Sequence, residues 1–175
     1  MSDGVQRRLS YRLRRSFGPV LDRAMRTVTD ETIRVYPSGY AGTVHTEIDR
    51  LESVLSERGF SWNPVSMYHY TRLGKQTNGS WVSRESPFAD RQLHAVLVRQ
   101  DAGRIDVYAH EEFNWRRHPL KHTRDAGIDR ERGVERMRSV LDDLGVDYRR
   151  ESYVRRKVGH LGQRARRGLA RMADR

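Results

Sequence analysis

The chain of 175 residues contains no cysteine. That excludes a disulfide framework, a thiolate zinc site, an iron–sulfur cluster and a thiol nucleophile. No apolar run approaches the ~18–20 residues that span a bilayer. The basic N-terminal stretch leads into no apolar segment of the kind a secretory leader carries. An intracellular protein is expected, cytoplasmic or inside a virus particle. A glycine-rich phosphate loop, a Gly-x-Ser-x-Gly elbow and a His-Glu-x-x-His helix are all missing. The sequence therefore shows no enzyme signature and calls for no cofactor. Lysine is scarce too: Lys75, Lys121 and Lys157 are the only ones among 34 basic residues.

What the sequence has instead is arginine at its ends. The net charge is +11. Residues 1–28 hold seven basic against two acidic residues, and residues 149–175 hold ten against two. The middle, 29–148, is left near neutrality with a net of −2. The reading is an α+β core domain at 29–148 between a basic helical arm at 1–28 and a basic amphipathic helix at 149–175. Removing both arms should leave a folded, slightly acidic domain. Arginine offers a planar fork suited to phosphates and carboxylates and is less costly to desolvate than lysine. GC-rich coding produces the same bias.

Periodicity sets out the elements. Leu9, Leu13 and Phe17 recur as on a helix, and Gly18-Pro19 breaks it before Val20, Leu21 and Met25. Residues 32–36 alternate as a strand. Val44, Ile48, Leu51 and Leu55 predict a helix over 43–58 with Thr43 as N-cap and Gly59 at its stop. Residues 67–73 and 81–84 read as strands joined by an Asn78-Gly79 turn. Residues 92–99 and 104–111 read as a hairpin. A three-residue turn with Gly103 as a bulge puts Leu93, Ala95, Leu97, Ile105, Val107 and Ala109 on one face, and that register separates apolar from polar best. The other face then carries His94, Val96, Val98, Asp106, Tyr108 and His110. A loop over 113–128 precedes a helix over 129–144, with Asp129 as N-cap and Gly145 at its end. Val146–Tyr148 starts a last strand. Ser53-Val54-Leu55 with Gly59 is echoed by Ser139-Val140-Leu141 with Gly145, 86 residues later. The fold class is α+β, an antiparallel sheet of about four to six strands with two helices on one face.

The C-terminal arm is the clearest amphipathic segment. Val154, Val158, Leu161, Ala165, Leu169 and Met172 form its stripe, and Arg fills the other faces. Three groups of residues are candidates for function. The arms supply Arg12, Arg14, Arg15, Arg155, Arg156, Arg164, Arg166 and Arg167, suited to nucleic-acid phosphates with weak sequence preference, or to an acidic protein neighbour. The loop after residue 113 adds Trp115, Arg116 and Arg117, where an aromatic beside arginine can stack on bases. The third group is histidine. His94 faces His110 across the hairpin, and His69 could join them, giving the alternative of a metal-dependent enzyme or metal-binding domain. A membrane surface is the less expected partner, and a homo-oligomer is compatible. Glu111-Glu112 ends a strand with no partner carboxylate named by the sequence.

The order of elements is similar to that of small α+β proteins that form rings at virus head–tail junctions, and to ferredoxin-like binding domains. The likeness is one of element order and carries no residue. It implies a non-enzymatic binding or assembly protein, such as a structural part of a nucleoprotein or virion-type particle.

Overall fold

The computed structural model describes residues 17, 19–20, 22–24, 26–28, 37–63, 77–101, 103–123, 127–159, 161–162 and 172. Six strands form one sheet in the order β2-β3-β4-β5-β1-β6. They are β1 (Tyr40–Val44), β2 (Ser61–Trp62), β3 (Gly79–Ser83), β4 (Arg91–Asp101), β5 (Arg104–Phe113) and β6 (Tyr148–Arg149). The helices are α1 (Ile48–Glu57), the short α2 (Pro119–Thr123) and α3 (Arg130–Asp143). Residues 153–159 are also helical. No helix among the described residues is long and apolar enough to cross a membrane.

Every neighbouring pair of strands is antiparallel. β1 and β2 therefore run the same way, as do β5 and β6. α1 carries the chain across the first pair and α3 across the second, so two β-α-β crossovers interlock. Leu51 and Leu55 of α1 and Met137 and Leu141 of α3 enter one core with Ala41, Val44, Trp81, Leu93, Ala95, Leu97, Ile105, Val107 and Ala109. Both helices thus cover the same face of the sheet, as the sequence implies.

The two helix stops are built alike. The amide of Gly59 donates to Ser56 O at 3.0 Å and that of Phe60 to Leu55 O at 3.0 Å. Eighty-six positions on, Gly145 N donates to Asp142 O at 2.9 Å and Val146 N to Leu141 O at 3.0 Å. Gly59 (φ 84°) and Gly145 (φ 59°) take the left-handed conformation that this double-bonded stop requires. The echo in the sequence is a repeated helix stop.

The β4–β5 hairpin has the anticipated register, with Ala95 opposite Ala109 and His94 opposite His110. Three local expectations fail. Helix α1 begins at Ile48, behind Glu47, and Thr43 and Val44 belong to β1. The β-branched pair fits a pleated strand between β5 and β6, and Val44 reaches the same core from the sheet. Gly79 is the first residue of β3 and pairs with Leu97, so Asn78-Gly79 is not a hairpin turn. Asn78 instead accepts the Arg99 amide through its side chain at 2.8 Å. The stretch 113–128, expected to be all loop, contains α2. The strands expected over 32–36 and 67–73 lie outside the described residues.

α3 is seated closely on β5. A Cβ at Gly133 would run into the backbone of His110 and Glu111. Asp129 caps the helix through the Arg132 amide at 3.0 Å and exchanges two backbone bonds of 2.8 Å with Glu111. The buried Glu111 carboxylate accepts from Arg91 and Arg136, each at 2.6 Å, with Arg132 at 3.3 Å. Burial alone would raise its pKa, but the Arg136 and Arg91 bonds outweigh burial and hold it below the ordinary Glu value.

Candidate functional site

The second face of the sheet is where polar chemistry collects. β5 alternates Asp106, Tyr108, His110 and Glu112 onto it, opposite Val98, Val96, His94 and Gln92 of β4. An alternating polar strand normally faces water. Here Asp106, His94, His110, Gln92 and Glu112 are all buried, and Val96, Val98 and Tyr108 form a second apolar cluster with Tyr40. Face assignment from the sequence is right, and the structure adds that this polar face is buried.

At one end lies a cluster of His94, His110 and Glu112, whose nitrogen and oxygen atoms all fall within 4.8 Å of one another. The imidazole centroids are 4.9 Å apart, edge to face. His94 Nδ1 is 3.3 Å from Glu112 Oε1, and His110 Nε2 is 3.1 Å from Glu112 Oε2. Partners on the outer side fix these groups. Ser80 Oγ bonds His94 Nε2 at 2.8 Å, which turns Nδ1 toward the carboxylate. Gln92 Nε2 donates to Glu112 Oε1 at 2.6 Å. Gln92 Oε1 in turn accepts from Arg84 Nε at 2.8 Å, and Arg84 also reaches Asn114. Burial pushes the His110 pKa down, although its bond to Glu112 pulls the other way. Burial opposes the charged form of Glu112, yet the neighbouring His94 imidazole and the His110 bond hold its carboxyl far below the usual range.

Two imidazoles and one carboxylate are a donor set for zinc, iron, nickel or copper rather than for calcium or magnesium. The spacing fits as well. Around an ion with bonds of about 2.0 Å, tetrahedral donor atoms stand about 3.3 Å apart. The two His–Glu separations, 3.3 Å to Oε1 and 3.1 Å to Oε2, are close to that edge, each imidazole facing its own carboxylate oxygen. Ser80 and Gln92 occupy the positions from which outer partners orient metal ligands. Glu112 is the member missed from sequence. Its signal was the His110-x-Glu112 alternation, which puts both side chains on one face of a strand. His69 lies outside the described residues.

The other end of the face holds Asp106, fully buried at 0% exposure. It accepts from Thr43 at 2.7 Å and from Gln100 at 2.5 Å. A β-bulge between Tyr40 and Gly42 lets both Tyr40 and Thr43 face it, and their hydroxyls meet at 2.6 Å. The last partner comes from the C-terminal segment. Arg156 Nη1 stands 3.4 Å from Asp106 and donates to the Tyr108 hydroxyl at 2.8 Å, with its guanidinium 3.7 Å over the Tyr40 ring. Burial, with Asp106 alongside, pushes Tyr108 up to about 12, and burial raises the Asp106 pKa despite these donors.

The candidate arginines therefore have different surroundings. The Arg156 side chain is 9% exposed and committed to this internal contact, while Arg155 is open to solvent near Glu151. Trp115 is half-buried with Arg116 over its ring at 5.6 Å, and the exposed Arg117 lies 4.0 Å from Asp90. Arg12, Arg14, Arg15, Arg164, Arg166 and Arg167 lie outside the described residues. Comparison with known proteins finds no matching family, no matching curated protein and no matching solved structure.

Proposed function

We propose that this chain is a metal-binding α+β domain whose centre is His94, His110 and Glu112. The observation that carries the reading is the convergence of two imidazoles and a carboxylate on one buried patch, at the spacing of metal ligands. A divalent first-row ion would replace the protons now shared between these groups. Three protein donors leave a further position, which water fills in a catalytic centre and another side chain in a structural one. The test is cobalt titration of the chelator-treated protein, followed by its visible absorption and by metal analysis. One equivalent should bind. Glu112→Gln and His110→Ala should abolish stoichiometric binding, and Gln92→Ala should weaken it by about 10–100-fold. A protein that takes up no ion, or one whose binding survives Glu112→Gln, would reduce the cluster to a polar lock on strand register.

A second reading keeps the binding and assembly role of the arginine-rich ends, in contact with nucleic acid or an acidic neighbour. The outward position of Arg155, Arg116 and Arg117 favours it. Mobility shift of duplex DNA over a salt series tests it. Affinity should fall steeply with salt, and Arg155→Gln combined with Arg116→Gln and Arg117→Gln, all at exposed positions, should weaken it.

A further inference from the structure

The C-terminal helix is attached by its polar side. Arg156 points inward to Asp106, Tyr108 and Tyr40. At about 100° per residue, Val154, Val158 and Leu161 lie about 140–200° around the helix from Arg156. They are 68%, 63% and 53% exposed, and Met172 is exposed as well. An amphipathic helix on a protein surface normally turns its apolar stripe to the core. This one is inverted, because a single arginine anchors it to a buried aspartate. Arg155 and Lys157 are exposed and flank the stripe on either side, about 100° from Arg156.

We infer that this helix docks on an anionic lipid surface, with the domain on its far side. The cross-section is that of a helix lying in a membrane interface: an apolar stripe outward, bordered by cations that reach the headgroups. Charge selects the occupant. Residues 149–175 carry ten basic residues against two acidic, so a second copy would bring like charges together. A nucleic-acid backbone satisfies the cations but offers no hydrocarbon to the valines and leucine. An anionic bilayer meets both. The inference is independent of the metal reading.

The experiment is co-sedimentation of the full chain with vesicles of phosphatidylcholine alone and with phosphatidylglycerol added. The protein should pellet with the anionic vesicles and stay in solution with the neutral ones. Val158→Glu with Leu161→Glu should lower the bound fraction at least about tenfold, with circular dichroism and melting unchanged because both sites are exposed. Arg155→Gln with Lys157→Gln should weaken binding and flatten its salt dependence. Three results would overturn the inference: equal binding to both vesicle types or to neither, binding indifferent to the glutamates, or a dimer in light scattering that the glutamates dissolve. Duplex DNA binding without vesicle binding would overturn it as well.

Discussion

Replacing Arg156 by alanine should destabilise the protein by about 3 kcal/mol. The lost contacts are the bond to the Tyr108 hydroxyl at 2.8 Å, the approach to Asp106 at 3.4 Å and the stack on Tyr40 at 3.7 Å. A hydrogen bond from a charged donor contributes about 1.5–3 kcal/mol, and a desolvated cation–π contact about 2 kcal/mol. Freeing a long side chain returns up to about 2 kcal/mol of entropy. Breaking a buried ion pair can cost about 3–5 kcal/mol. The lower end applies here, because Asp106 keeps its bonds from Thr43 and Gln100. In a chain of this size the loss is about 6–12 °C in Tm. Urea denaturation followed by circular dichroism should show an earlier midpoint with an unchanged slope.

The loss should also depend on pH. The folded-state pKa of Asp106 is raised above its ordinary value. Between those two values the folded state holds more protons than the unfolded one, so stability falls as pH rises through that window. Taking Arg156 away moves the folded pKa higher still. The deficit of Arg156→Ala should therefore be largest near neutrality and shrink as pH falls toward the ordinary Asp range. Asp106→Asn placed on top of Arg156→Ala should recover about 1–2 kcal/mol at neutral pH. A single variant within 1 kcal/mol of the parent at neutral pH, or a deficit flat with pH, would refute the reasoning. The same contact bears on truncation. A chain ending at residue 148 loses Arg149 of β6, the Glu151 amide bonded to Tyr40 and Arg156, and should lose at least as much stability as Arg156→Ala.

Gly133→Ala should lift α3 off β5 and cost about 2–3 kcal/mol by overpacking, read from denaturant midpoints. Because the clash falls on the His110 backbone, the variant should also bind cobalt more weakly than the parent. Gly59→Ala and Gly145→Ala should each cost about 1 kcal/mol, since both positions are left-handed but have open space around them. A large difference between the two in melting experiments would contradict the likeness of the two helix stops.

Local chemistry with a short reach was legible in the sequence. The β4–β5 register followed from sorting Leu93, Ala95 and Leu97 against Ile105, Val107 and Ala109, and the structure has that pairing. Asp129 and the glycines at 59 and 145 sit where their capping chemistry puts them. Val44 was misread because the spacing of Val44, Ile48 and Leu51 satisfies a helix, whereas residues 40–44 are claimed by β5 and β6. A strand that pairs only with partners more than sixty residues away leaves little local trace. The cluster of His94, His110 and Glu112 was two-thirds visible. Its histidines were placed by register, but Glu112 passed as the polar end of a strand.

Burial of the polar face was the larger omission, and it has a physical origin in Arg156. Alternation along β5 gives the same pattern for a solvated face as for a buried one. What separates them is whether something distant covers the face. The cover over Asp106 is a residue from a segment whose composition reads as solvated charge. Among seven arginines and one lysine between Arg149 and Arg167, nothing local marks one as internal. Its helical position does mark it, once a buried acid is known to need a partner: Arg156 lies opposite the stripe through Val154, Val158 and Leu161. A buried Asp106 thus predicts an inward arginine, and an inward arginine predicts an outward apolar stripe. The anchor on the sheet and the exposed stripe follow from one constraint, so loss of Asp106 should release the orientation of the helix as well as the stability it supplies.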